Sequence, residues 1–69
     1  MTKKIYIEGM TCNHCAKAVE NALKELHGVM SASVNLAEKY AIVELHHPIE
    51  DEKFIAAVDD AGYKVVKIE

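Results

Sequence analysis

The chain has no arginine and no tryptophan, and among its 69 residues it has one proline, three glycines and one phenylalanine. Without a guanidinium there is no bidentate clamp for phosphate, and the net charge is −3, so nucleic acid is not an expected partner. Long hydrophobic runs are missing too. Behind Met1-Thr2-Lys3-Lys4 the apolar stretch stops at Ile7, far short of a signal-peptide core or a membrane span. The expected location is the cytoplasm, without membrane insertion, where thiols are kept reduced. No proline- or serine-rich linker interrupts the chain, so residues 1–69 are expected to form a single domain, near the size at which one hydrophobic core is only marginally sufficient. The two cysteines, Cys12 and Cys15, stand too close for a disulfide between them to close a large loop and stabilise the fold. Chemistry explains the pair better than architecture does.

What is present alternates between two periods. Ile5 and Ile7 alternate with Lys4, Tyr6 and Glu8 as in a half-buried strand that ends at Gly9. From about His14 to Leu26 the spacing becomes helical, with Cys15, Val19, Ala22, Leu23 and Leu26 on one face and Lys17, Glu20, Asn21, Lys24 and Glu25 facing water. Gly28 is placed to close that helix. Met30, Ala32, Val34 and Leu36 then form one side of a second strand. After the turn Ala37-Glu38-Lys39, a third strand aligns Ala41, Val43 and Leu45, making a hairpin. Pro48 breaks the ladder, and Glu50, Asp51 and Glu52 bring negative charge to the start of a second helix, where its dipole favours them. Phe54, Val58 and Ala61, with Ile55 and Ala57, make that helix's buried stripe; Gly62 stops it, and Tyr63 to Ile68 form a last strand. The order βαββαβ predicts an α+β fold, a ferredoxin-like sandwich with two helices on one face of a four-stranded antiparallel sheet.

In that fold Cys12-Asn13-His14-Cys15 lies in the loop from the first strand into the first helix. Two thiols three positions apart can grip one soft ion. A structural zinc site needs four closed ligands, whereas monovalent d¹⁰ copper, Cu(I), is content with two or three sulfurs and an open side. Binding requires thiolate, and the free N–H groups and positive end of the helix favour negative sulfur, with Lys17 as a further candidate contributor. A zinc ribbon is excluded by the lack of a second CxxC, and His14, His27, His46 and His47 do not follow Cys15 at zinc-finger spacing. His27 is expected as a cation near a helix C-terminus and His46-His47 as a strand-end pair without a partner. A histidine just before the second cysteine also occurs in strongly oxidising thioredoxin relatives. Here no tryptophan precedes the motif, the chain is short for that fold, and Pro48 opens a helix instead of leading into a strand, so a thiol-disulfide oxidoreductase is the least favoured reading and no enzyme activity is expected. Glu8 points to the opposite strand face from Ile7 and is not counted as a ligand.

Gly9-Met10-Thr11-Cys12-Asn13-His14-Cys15, followed by Gly28-Val29, Ser33-Val34-Asn35-Leu36, Ala41-Ile42-Val43 and Ala61-Gly62-Tyr63, resembles the heavy-metal-associated domain family over nearly the whole chain. The similarity is strongest to bacterial copper chaperones. It implies the same βαββαβ sandwich, Cu(I) held between Cys12 and Cys15 with Cys12 the more exposed, and transfer to the metal-binding domains of a copper-transporting P-type ATPase or to a copper-responsive transcriptional regulator. It also places Tyr63 in a loop near the metal; the ring tunes the site or is simply half-buried with its hydroxyl in water. Met10 carries a sulfur that could bind copper, and its expected role is to anchor the loop in the core. His14 is expected to be exposed, as a polar helix-start residue, a proton exchanger for the thiolates, or an extra ligand when two molecules share copper. The apo protein is expected to be monomeric, with excess copper able to drive dimerisation. Met1 at the start and a last strand running almost to Glu69 favour a free-standing chaperone over the alternative, an N-terminal metal-binding domain of a copper-transporting ATPase.

Overall fold

Six elements form from these patterns in the computed structural model, which describes Met1–Glu69: β1 (Thr2–Glu8), α1 (Asn13–Lys24), β2 (Val29–Asn35), β3 (Tyr40–Leu45), α2 (Asp51–Asp60) and β4 (Lys64–Ile68). The strands make one sheet in the order β2-β3-β1-β4, antiparallel at every pairing. Period-2 alternation sends Ile5, Ile7, Ala41 and Val43 to one face, where Val19 and Leu23 of α1 and Phe54 and Val58 of α2 cover them. Each of the larger buried side chains contributes about 1.5–3 kcal/mol relative to exposure. The expected ferredoxin-like sandwich is the observed one. On the uncovered face the rings of Tyr6 and Tyr40 meet edge to face at 5.8 Å, and Lys4 Nζ lies 4.6 Å from the Tyr40 ring centre. Tyrosine suits that position because its ring packs while its hydroxyl stays wet.

Two expected core positions turn outward. Met30 is 58% exposed, because the β2–β3 register slips between Val29 and Ser31: Val29 pairs with Leu45 and Ser31 with Glu44, which leaves Met30 as the extra residue of a bulge. Val29 takes its place against the core. The same device operates in β4, where Tyr6 pairs with Lys67 and Ile7 with Val65, so that Val66 is bulged out and 60% exposed. Ile55 is 46% exposed; it follows Phe54 directly, and one step around a helix carries a side chain off the stripe that Phe54 and Val58 share.

The helix ends differ from each other. α1 stops at Lys24 with Glu25 as its C-cap, earlier than the expected Leu26, and Gly28 (φ +99°) belongs to the turn that follows. At the end of α2, Tyr63 N–H donates to the Val58 carbonyl at 3.1 Å and Gly62 N–H to that of Asp59 at 2.9 Å. With Gly62 at φ +94°, this is a Schellman closure, and it carries Tyr63 back over the helix end. A Cβ on Gly62 would meet nothing within 4 Å, so the cost of an alanine there is purely conformational. Gly62→Ala is expected to destabilise the protein by about 1–2 kcal/mol, seen as a lower urea midpoint with an unchanged m-value; an unchanged midpoint would show that this closure does not constrain the fold.

Candidate metal centre

The loop between β1 and α1 is held by its middle. Gly9 adopts φ +94°, a left-handed conformation that glycine enters at no steric cost, and Met10 drops into the core with 3% of its surface exposed. The buried side chain thus anchors the loop in the core. Thr11 and Cys12 are left on that surface. Cys12 is the N-cap of α1, with extended backbone (φ −154°, ψ 172°) and no capping bond from its side chain; its carbonyl accepts the Ala16 N–H at 3.1 Å. Cys15 sits in the first helical turn, half-buried and packed against the core.

The two sulfurs are 3.5 Å apart and both thiols are free. Metal–sulfur bonds of about 2.3 Å from sulfurs so placed subtend roughly 100° at the ion, and opening the pair to a linear geometry needs about 1 Å of movement. Cys12 has the freedom for it, being exposed and tied to no capping bond. No group of three or more histidine, cysteine or acidic side chains is arranged to enclose an ion. The arrangement therefore offers two soft donors and an open side.

Cys15 is held down to a pKa of about 6. The Tyr63 hydroxyl contributes most, followed by the backbone N–H of Thr11 and the Cys12 thiol, with desolvation opposing them. Tyr63 acts as a nearby O–H dipole, since the hydrogen-bonding contacts of Cys15 Sγ are Cys12 Sγ and Thr11 Oγ1, the latter at 3.9 Å. In return the thiolate pushes the Tyr63 phenol up. Lys17 has no part in this; its charge acts on Glu20, which Lys24 also pairs at 2.9 Å. The Tyr63 ring reaches the site over Gly9, where a Cβ would lie 3.5 Å from Tyr63 Cδ1.

Of the residues singled out in the sequence, the structure brings together Cys12, Cys15 and Tyr63, buries Met10 beneath them, and leaves His14 exposed. Thr11 was not anticipated as a partner of Cys15; it lies before α1, where the four-residue helical spacing is no signal. His27, expected as a cation near a helix C-terminus, and His47, expected to lack a partner, lie beside each other, with ring centres 5.8 Å apart. The electrostatics around Cys15 predict that Tyr63→Phe moves its titration in the metal-free protein upward from about 6, because the largest influence favouring thiolate is removed. In the parent the thiolate predominates above that pH and is lost as pH falls through it. The Cys15 ¹³Cβ shift followed against pH reads the midpoint, and an unmoved midpoint would remove Tyr63 from the site's electrostatics.

Residues 4–64 match the family described as heavy-metal-associated domain. The copper chaperone CopZ of Staphylococcus epidermidis is 46% identical over 67 residues, covering 94% of this chain and 98% of the relative. Copper-transporting ATPase 1 of Rhizobium meliloti is 48% identical over 61 residues, which is 88% of this chain and 7% of that protein. A solved CopZ metallochaperone superposes with a TM-score of 0.88 at 37% identity, over 96% of this chain and all of that one. With the βαββαβ sandwich and the paired thiols at the start of α1, these similarities establish that the chain belongs to the heavy-metal-associated domain family.

Proposed function

We propose that this protein is a cytoplasmic copper chaperone that holds Cu(I) between Cys12 and Cys15 and delivers it by thiolate exchange. The observation that carries this reading is the open pair of sulfurs, 3.5 Å apart on the surface, in a chain that aligns end to end with copper chaperones. Copper is cargo here. Cys15 supplies a thiolate at neutral pH and stays anchored against the core, while the exposed Cys12 can swing out. A partner's thiolate enters on the open side as one sulfur of the chaperone leaves, so the ion passes through a shared three-sulfur state and is not released to water. The chain carries metal and performs no catalysis. Its unit is the single domain 1–69.

The partner class follows from likeness of site. Copper-transporting ATPases carry a segment similar to this chain, so donor and acceptor would present the same paired thiols and exchange copper at little cost in free energy; a copper-responsive regulator with exposed thiols is a further acceptor. His14, exposed between the two cysteines in sequence, would exchange protons with the thiols as they leave the ion. Above one equivalent of copper, thiolates of a second molecule can complete the open coordination, giving a copper-bridged dimer from an apo monomer. The second reading, a metal-binding domain of a copper-transporting ATPase, is supported by the 48% identity to such a segment.

Competition for Cu(I) against a chromophoric chelator under reducing conditions is expected to give one ion per chain. Cys12→Ser and Cys15→Ser should each weaken binding by about two orders of magnitude or more, loss of a direct ligand exceeding the 10–100-fold cost of losing an outer-shell partner. Undiminished Cu(I) affinity in the double serine variant would refute the assignment. Transfer to an acceptor domain should accelerate with acceptor concentration; a rate set by spontaneous copper dissociation excludes thiolate exchange. Light scattering should show a monomer without copper and a dimer above one equivalent, and a strict monomer throughout removes the bridged state.

A further inference from the structure

The far end of α1 carries two neighbouring histidines that the thiol site does not use. His27 precedes β2 and His47 follows β3, and the antiparallel ladder joins those ends: Val29 pairs with Leu45, and His46 N–H donates to the Gly28 carbonyl at 2.8 Å. Gly28 between them makes the approach possible, since a Cβ there would lie 2.6 Å from His47 Nε2 and 2.7 Å from its Cε1. The His47 ring thus lies over the glycine, beside the His27 ring at 5.8 Å between centres and 37° between planes.

Three features fit this pair to an ion. A metal–imidazole bond of about 2.0–2.1 Å puts the metal roughly 3.2 Å from the ring centre, so two rings sharing one ion stand about 5.2 Å apart at a tetrahedral angle and about 6.4 Å apart when opposed. The observed 5.8 Å lies between those limits. His47 Nδ1 lies 3.1 Å from the Pro48 carbonyl oxygen, which can only accept, so Nδ1 carries a proton and Nε2 is the nitrogen whose lone pair a metal would take from the neutral ring. That outer-shell bond is the arrangement by which ligating histidines have their tautomer and ring orientation set. His27 and His47 line one surface cavity together with Glu50 and Lys53, whose opposite charges offset each other there, and both histidines are exposed.

We infer that His27 and His47 form a second metal site, taking a borderline divalent cation of the Zn(II) class through two imidazole nitrogens with water in the remaining positions. Imidazole suits zinc, divalent copper and nickel, and the soft thiolates at the other end suit monovalent copper. The two sites are separated by α1, whose 12 residues span about 18 Å, so each can be filled without the other. Glu50 and Lys53 leave the cavity without net charge of their own, and Glu50 stands outside direct coordination, since no cluster of three ligands forms, so the two imidazoles carry the site.

The test is a Zn(II) titration of protein carrying one equivalent of Cu(I) under argon, repeated on the Cys12→Ser/Cys15→Ser variant, with imidazole ¹H–¹⁵N resonances as readout. The expected result is saturable shifts of His27 and His47 at one Zn(II) per chain in both samples. His27→Gln and His47→Gln should each weaken this binding about tenfold or more, and His46→Gln, altering the neighbouring exposed ring, should leave it intact. No shift at these two histidines, equal loss on changing His46, or Zn(II) affinity unaffected by the paired His27→Gln and His47→Gln changes would overturn the inference. Far-UV circular dichroism of each variant separates lost binding from lost structure.

Discussion

The burial of Met10 is the contact on which the metal-binding end of the molecule depends. An unbranched side chain from the middle of the β1–α1 loop enters the core, and with that point pinned the residues after it are confined to the surface. Gly9 supplies the left-handed turn that lets the chain dive inward. Pinning the loop by its centre gives Cys12 a defined starting place without enclosing it. It also lets α1 begin at Asn13, directly after Cys12, while the backbone N–H groups of Thr11 and Cys12 favour the Cys15 thiolate. A loop held only by its ends would lose that alignment to conformational entropy.

Against this anchored side the α2–β4 turn sets a second one. The Schellman closure at Gly62 returns the chain over the end of α2 and delivers Tyr63 to Cys15, so the site is made by two loops that are distant in sequence. The resulting environment stays wet enough for desolvation to be outweighed by the O–H and N–H dipoles that favour thiolate. Deeper burial would raise the thiol's pKa and close off a partner. A site meant to exchange its ion needs both a ready thiolate and an approach path, and the half-buried, exposed pairing of Cys15 and Cys12 supplies one of each.

At the opposite end the sheet's own geometry does comparable work. The antiparallel β2–β3 ladder brings the residues before β2 and after β3 together, and the bulge at Met30 sits at the same edge. Gly28 there makes room for a ring, whereas at the thiol site a Cβ on Gly9 would meet Tyr63 only in ordinary contact and the glycine serves the turn. Histidines at one end and cysteines at the other leave the molecule with chemically distinct poles joined by a single helix.

Element order, the α1 and α2 stripes and the strand faces were legible in the sequence because each rests on a local period: two in strands, 3.6 in helices. The CxxC was legible for the same reason, its spacing putting both thiols at one helix start. Met30 and Ile55 were misplaced where local pattern competes with register and rotation: a bulge turns Met30 out and Val29 in while Ala32 and Val34 keep the core side, and one helical step turns a residue out of the core. The nearness of Tyr63 to the site was suggested by family resemblance and by nothing in its surroundings; Thr11 and the His27–His47 pair had no sequence signal strong enough to act on. By itself the sequence determined which elements form and which two residues could grip a soft ion, since both depend on neighbours along the chain. The tertiary structure alone decided which distant groups surround those thiols and which histidines meet, because strand register and loop closure bring together residues whose separation in sequence carries no record of their contact.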